Sequence, residues 1–124
     1  VIALAKQPIN IRKKRIKTVK FNSKKLKIVI NGQVEVDVQK LTTGSLLCEY
    51  MFSSKIKCNE PIDWSIIYEK VVGQEVDITD KGRNLREKRK LRDAMNAVNK
   101  KVCNEFGTEA NIFRWKENQI KRLY

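Results

Sequence analysis

The side chains best suited to chemistry in this sequence are cations and amides, which concentrate at residues 86–101 and again at 114–122. An arginine fork matches guanine O6 and N7, an asparagine amide matches adenine N6 and N7, and lysine neutralises phosphate. These residue types are therefore typical of a surface that binds nucleic acid. The candidate binding residues are Arg86, Lys88, Arg89, Arg92, Asn96, Asn99, Lys100, Lys101, Arg114, Lys116, Lys121 and Arg122.

Groups suited to catalysis are few. The chain has no histidine, so it offers no Ser-His or Cys-His pair, and its sequence contains neither a GxGxxG nor a GxxxxGKS/T loop. The acidic residues are scattered, with no close pair suited to acid/base work. We therefore expect no enzymatic activity, no catalytic residue and no cofactor. The alternative is a lone reactive cysteine, for which Cys58 is the loop candidate.

The cysteines are Cys48, Cys58 and Cys103, an odd number at wide spacing with no CxxC pair. A zinc site would have to combine all of them with a carboxylate, which is rare, so we expect no bound metal. A disulfide framework is also unexpected. The pattern favours reduced cysteines in a cytoplasmic protein, with Cys48 and Cys103 as small core residues on helices.

The charge balance indicates a polyanionic partner. The formal net charge is +13 and the sequence pI is about 9.9, and nucleic acid is the commonest polyanion that such a domain binds. An anionic membrane surface and a lysine-rich surface that serves solubility are the alternatives. Mean hydropathy is −0.51. No apolar run approaches the roughly 18 residues of a membrane span, so we expect no transmembrane helix.

The length of 124 residues fits one domain with one modest core. Residues 1–15 begin apolar and become a basic run, and no acidic residue occurs between Lys6 and Lys27. We interpret 1–15 as a basic N-terminal arm or linker, either solvated or tracking phosphates. Residues 16–124 would form the folded domain.

The elements that must position the candidate residues begin with an antiparallel sheet. Residues 16–21 are a candidate strand, and residues 26–30 and 33–38 both alternate apolar and polar side chains. Asn31-Gly32 between them is a strong hairpin signal, because a type I′ turn needs positive φ at both central residues.

Two helices are predicted next. Thr42 or Thr43 would cap the first helix, which ends by Ser53-Ser54 and whose apolar stripe is Leu46, Leu47, Tyr50 and Met51. Asp63 would cap a second helix over 64–72, with Gly73 as its stop. Trp64, Ile67, Tyr68 and Val71 share one face of that helix.

The third helix is the longest predicted element, and a hairpin follows it. Apolar residues recur every three or four positions from Leu91 to Phe106, and the positions between them are strongly basic. The helix would start between Asp80 and Lys88 and end at Gly107. Residues 112–116 and 119–124 then predict a second hairpin, since Asn118 tolerates the left-handed conformation that such a turn can require.

The order of sheet, helix, helix, long helix and hairpin predicts an α+β fold: a winged helix with an N-terminal antiparallel sheet, three helices and a C-terminal β-hairpin wing. From about residue 19 to 124 the chain resembles the OmpR/PhoB-type winged-helix domain of bacterial response regulators. The matching segments are VINGQVEV at 29–36, LT at 41–42, LLCEYM at 46–51, PIDW at 61–64, KVVG at 70–73 and the closing LY at 123–124.

The resemblance implies the DNA-binding domain of a transcriptional regulator, whose third helix reads the major groove of double-stranded DNA while the wing contacts phosphates or the minor groove. It places Arg89, Arg92, Asn96 and Asn99 toward the bases and the other candidate cations on phosphates. A homodimer on tandem half-sites and a regulatory domain upstream of Val1 are further implications. The alternatives are a winged-helix protein-interaction module of a larger protein and an RNA-binding domain.

Overall fold

A computed structural model describes residues 15–107 and 111–124. The basic arm expected over 1–15 lies outside the described residues except for Arg15. The elements, in chain order, are β1 (Val19–Asn22), β2 (Lys27–Ile30), β3 (Val34–Asp37), α1 (Thr42–Met51), β4 (Ile62–Asp63), α2 (Trp64–Val72), α3 (Lys81–Phe106), β5 (Phe113–Lys116) and β6 (Gln119–Arg122).

The first three strands form an antiparallel sheet in the order β1-β2-β3. Asn31 and Gly32 have φ of 54° and 68°, so the positive φ predicted at both positions is confirmed. The turn is closed by a 3.0 Å bond from Gln33 N to Ile30 O. The sequence pattern placed Gln33 in the return strand. That prediction is wrong, because Ile30 pairs with Val34 and Gln33 therefore belongs to the turn.

The first strand begins three residues later than its apolar pattern predicts. Lys17 N and Thr18 N donate to the Asn31 side-chain oxygen at 2.7 and 3.0 Å, so the hairpin turn satisfies them instead of a neighbouring strand. Ile16 is nevertheless buried in the core. The segment at 16–18 is therefore anchored to the sheet without being part of its ladder.

The expected threonine cap of α1 is wrong. Leu41 occupies the N-cap position and no side chain caps the helix; instead Ser45 N donates to Leu41 O at 2.6 Å. Leu41 is half-buried against the core, so packing fixes this end of the helix. Leu46, predicted on the apolar stripe, is 43% exposed, whereas Leu47 and Met51 are fully buried.

The second helix matches its predicted bounds. Asp63 accepts a bond of 3.0 Å from Ser65 N at its start, and Gly73 ends it with φ of 79°. The predicted core face, Trp64, Ile67, Tyr68 and Val71, is buried.

The third helix starts at Lys81, at the early edge of the predicted window, because Asp80 caps it by accepting from Arg83 N at 3.0 Å. It ends at Gly107 with φ of 84°, as predicted. Its core-facing side buries Leu91, Met95, Val98, Val102 and Phe106.

The long helix crosses α1 at close range. A Cβ built on Gly44 would lie 2.8 Å from Val98 Cγ2 and 3.1 Å from Leu41 Cβ, so only glycine fits between the two helices here. This contact fixes how α3 sits on the rest of the domain.

The chain ends in a second sheet of order β4-β6-β5. The β5-β6 turn has φ of 52° at Glu117 and 62° at Asn118, so the left-handed conformation predicted for Asn118 is confirmed and Glu117 shares it. Trp64 N donates to Asn118 O at 2.9 Å, which attaches the turn to the start of α2. The α+β architecture of an antiparallel sheet, three helices and a C-terminal hairpin is as predicted.

Only part of the expectation for the cysteines holds. Cys48 is fully buried on α1, as predicted, and burial raises the pKa of its thiol to about 12. Cys103 lies on α3 but is only half-buried, so it is not a core residue. Within the described part of the chain, no helix is both long and apolar enough to cross a bilayer.

Candidate nucleic-acid interface

The solvent face of α3 carries four of the predicted binding residues in one line. Arg89, Arg92, Asn96 and Lys100 follow one another at spacings of three and four residues, which places them on one side of a helix, and all are exposed. None of them has a hydrogen bond or ion pair with another described residue. We call these residues the exposed stripe. Its donors are available to a ligand.

One flank of the exposed stripe is less favourable to anions. Lys90 and Asp93 line a shallow depression of about 270 Å³ together with residues 41–44 at the start of α1. A carboxylate beside a helix N-terminus suits the positive end of the helix dipole. The same carboxylate repels phosphate, so the surface that can accept an anion extends toward the opposite flank.

The opposite flank of α3 opens into a cleft against the C-terminal hairpin. This central cleft, of about 520 Å³, is lined by Arg92 and Asn96 from the helix and by Arg114, Trp115 and Tyr124 from the chain end. The Arg92 guanidinium lies 4.7 Å from the centre of the Trp115 ring, within cation–π range. The cleft therefore brings two arginines and an asparagine amide together.

The hairpin separates its side chains into a core face and a solvent face. Phe113 and Ile120 are fully buried, whereas the alternate residues form an outer hairpin face of Arg114, Lys116, Gln119 and Lys121. Arg114 lies directly opposite Lys121 in the strand register. Like charges in that position repel each other and destabilise a sheet, and a bound anion would relieve the repulsion.

Arg114 joins the two surfaces. It lines the central cleft and also a smaller cleft of about 190 Å³ on the outer hairpin face, beside Lys116, Lys121 and Asn59. The cations of α3 and those of the hairpin thus form one continuous basic track. Arg86 extends this track toward the start of α3, where it is exposed.

Asn99 is not a surface residue, and the prediction that it faces the bases is wrong. It is 5% exposed, and its side chain accepts from Ile112 N at 3.0 Å and from Phe113 N at 3.1 Å. Its amide nitrogen also donates to Phe113 O at 3.0 Å. Among the described residues β5 is an edge strand, and Asn99 satisfies backbone groups on the side of β5 that faces away from β6.

Arg122 lies on the core side of the hairpin, where its donors are bonded to backbone carbonyls and not directed to the outer hairpin face. It donates to Met51 O at 2.9 Å and to Ile56 O at 3.1 Å, and it also donates to Tyr124 O. Its guanidinium lies 4.9 Å from the Phe52 ring centre. This arginine ties the last strand to the end of α1 and to the loop that follows.

Two predicted lysines of α3 are partly occupied by other contacts. Lys88 is half-buried with its ammonium 5.4 Å from the Trp64 ring centre, and Lys101 is half-buried with an ion pair of 3.7 Å to Glu105. Both lie beside the exposed stripe instead of on it. Their charge contributes to the basic field but less to direct contact.

A buried carboxylate that the sequence analysis missed anchors the first turns of α3. Glu87 is buried and accepts from Arg83 Nε at 3.1 Å, while Arg83 also donates to Glu75 O at 3.2 Å. Burial, and then the neighbouring Glu87 carboxylate, raise the pKa of Tyr68. The signal was present in the sequence, because Arg83 and Glu87 are spaced i, i+4.

The candidate site is thus an extended basic surface. Its parts are the exposed stripe, the central cleft and the outer hairpin face. Comparison of the chain with models of known protein families, with curated proteins and with solved structures finds no significant match.

Proposed function

We propose that this chain is a winged-helix domain that binds double-stranded DNA, with α3 in the major groove and the C-terminal hairpin as a wing on the adjacent backbone. The observation that carries the proposal is the continuity of the basic track. It runs from the exposed stripe through Arg114 to the outer hairpin face. The cations of the exposed stripe and of the outer hairpin face have no hydrogen bond or ion pair with another described residue, so their donors are open.

The dimensions support the proposal. The 26 residues of α3 correspond to roughly 39 Å of helix, and the major groove of B-DNA, about 12 Å wide, admits one helix. Arginine and asparagine on the exposed stripe can read base edges, and the lysines can hold phosphates. The resemblance of the sequence to the OmpR/PhoB-type domain adds to this and suggests a transcriptional regulator.

The two alternatives find less support. RNA-binding proteins expose aromatic rings on which bases stack, but Phe113 is fully buried and one face of Trp115 is covered by Arg92. The cores of protein interfaces lose charged residues and gain aromatic ones, whereas the exposed stripe is cationic and polar. Duplex DNA therefore fits the surface best.

The proposal is tested by comparing duplex DNA, single-stranded DNA and structured RNA at equal salt in fluorescence anisotropy. We expect the duplex to bind most tightly and Lys100→Ala to weaken that binding. Lys24→Ala is the matched control, since it removes the same charge from the turn between β1 and β2, and it should bind like the wild type. A preference for RNA or single strands, or no binding to any of the three, would contradict the proposal.

A further inference from the structure

The contact between Arg92 and Trp115 joins the exposed stripe to the hairpin. Trp115 lies in β5 opposite the fully buried Ile120, so strand pairing fixes the backbone that carries the indole. Two residues before it, Phe113 is bonded to Asn99 of α3 through both its N–H and its C=O. The backbone of β5 beside Trp115 is therefore attached to the helix that carries Arg92.

The arginines of this domain differ in how they are held. Arg122 uses its donors on backbone carbonyls, and Arg83 uses its donors on Glu87 and a carbonyl. The Arg92 guanidinium carbon lies over the Trp115 ring, and Arg92 has no hydrogen bond or ion pair with another described residue, so its N–H donors stay open. A guanidinium held against a ring has fewer accessible rotamers before it meets a ligand. The conformational entropy lost on binding is therefore smaller.

We infer that Trp115 is a positioning residue that sets base specificity, by holding the Arg92 guanidinium for a bidentate contact with one guanine in the major groove. This inference rests on the proposed function. Guanine is the base that presents two acceptors, O6 and N7, to an arginine fork. Asn96, one helical turn further along α3, lines the same cleft, so in this arrangement its amide would face the base pairs beside that guanine.

The test begins with the free protein. The ring current of the Trp115 indole should shift the side-chain methylene protons of Arg92, and Trp115→Leu should return them to ordinary values. Trp115→Phe keeps an aromatic face and should keep a smaller shift. Unshifted Arg92 protons in the wild type would overturn the inference without any use of DNA.

The second part measures specificity. A preferred duplex is selected from a random pool with the wild type, and each guanine is then replaced in turn by 7-deazaguanine, which lacks the N7 acceptor. At one position the replacement should weaken wild-type binding about tenfold. Arg92→Lys, which keeps the charge but loses the fork, should lose this discrimination. Trp115→Leu should reduce it about two- to fivefold, and Trp115→Phe should retain most of it.

The outcomes separate this inference from the proposed function. The slope of the binding constant against salt concentration on a random duplex should stay that of the wild type in all three variants, because none of them removes a positive charge. Two results would overturn the role of Trp115 while leaving duplex binding intact. In the first, Trp115→Leu discriminates between guanine and 7-deazaguanine as well as the wild type does. In the second, Trp115→Leu and Trp115→Phe lose this discrimination equally. Failure of the wild type to bind any duplex would overturn the proposed function as well.

Discussion

Replacement of Asn99 by alanine is the sharpest test of how α3 holds the hairpin. The change removes three hydrogen bonds to the backbone of residues 112 and 113 and leaves two N–H groups and one carbonyl unpaired. Each unpaired buried group costs about 1–3 kcal/mol, so we expect Asn99→Ala to destabilise the fold by about 3–9 kcal/mol. That is a large part of the roughly 5–15 kcal/mol by which a domain is stable.

The measurement is urea unfolding followed by circular dichroism, with Asn96→Ala as the matched control one turn earlier on the same helix. A loss of 3 kcal/mol lowers the midpoint by about 2 M if the urea dependence is about 1.5 kcal/mol per molar. Asn96 is exposed, and its substitution should change the free energy of unfolding by less than about 0.5 kcal/mol while weakening duplex binding. A cost below about 1 kcal/mol for Asn99→Ala would refute the structural role assigned to this side chain.

Three further predictions concern packing and reactivity. Gly44→Ala should destabilise the fold by about 1–3 kcal/mol in the same unfolding assay, because its Cβ would lie 2.8 Å from a valine methyl of α3. Gly82→Ala is the control: its Cβ would have 3.9 Å of clearance, so the substitution should be neutral or stabilising by up to about 1 kcal/mol. The exposed Cys58 should react with a thiol reagent at pH 8 and Cys48 should react only after denaturation, since burial raises the pKa of Cys48 to about 12; equal labelling of both in the native state would contradict this. Arg122→Ala should lower the midpoint of thermal unfolding and leave the salt dependence of duplex binding unchanged, because the Arg122 guanidinium donates to backbone carbonyls. A reduced salt dependence would show instead that Arg122 contacts phosphate.

Local signals in the sequence predicted most of the secondary structure. Turns and helix ends that require positive φ were found correctly at Asn31, Gly32, Gly73, Gly107 and Asn118, because few residue types adopt that conformation. Apolar periodicity also predicted the core faces of α2 and α3, because residues three or four positions apart lie on the same side of a helix. The cap of α1 was missed, since there the burial of a leucine outweighs the capping preference of threonine.

The site was predicted less well, because the partners of its side chains are distant in the sequence. Asn99 is bonded to residues 13 and 14 positions away, and Arg122 donates to Met51 across 71 positions. The periodicity did indicate that Asn99 could be buried, since it lies four residues after Met95 and three before Val102, at the border of the buried face of α3. No spacing rule could have paired Arg92 with Trp115, which depends on how the hairpin packs against α3.

The central claim, duplex binding through the basic track, is tested most directly by the salt dependence of affinity. A random duplex of about 25 base pairs is titrated with the protein at several salt concentrations, and the logarithm of the binding constant is plotted against the logarithm of salt concentration. If the track neutralises about six phosphates, the slope should be about −5, and Lys100→Ala should make it shallower by about one while Lys24→Ala leaves it unchanged. A weak, flat response, or equal effects of the two lysine variants, would contradict the account.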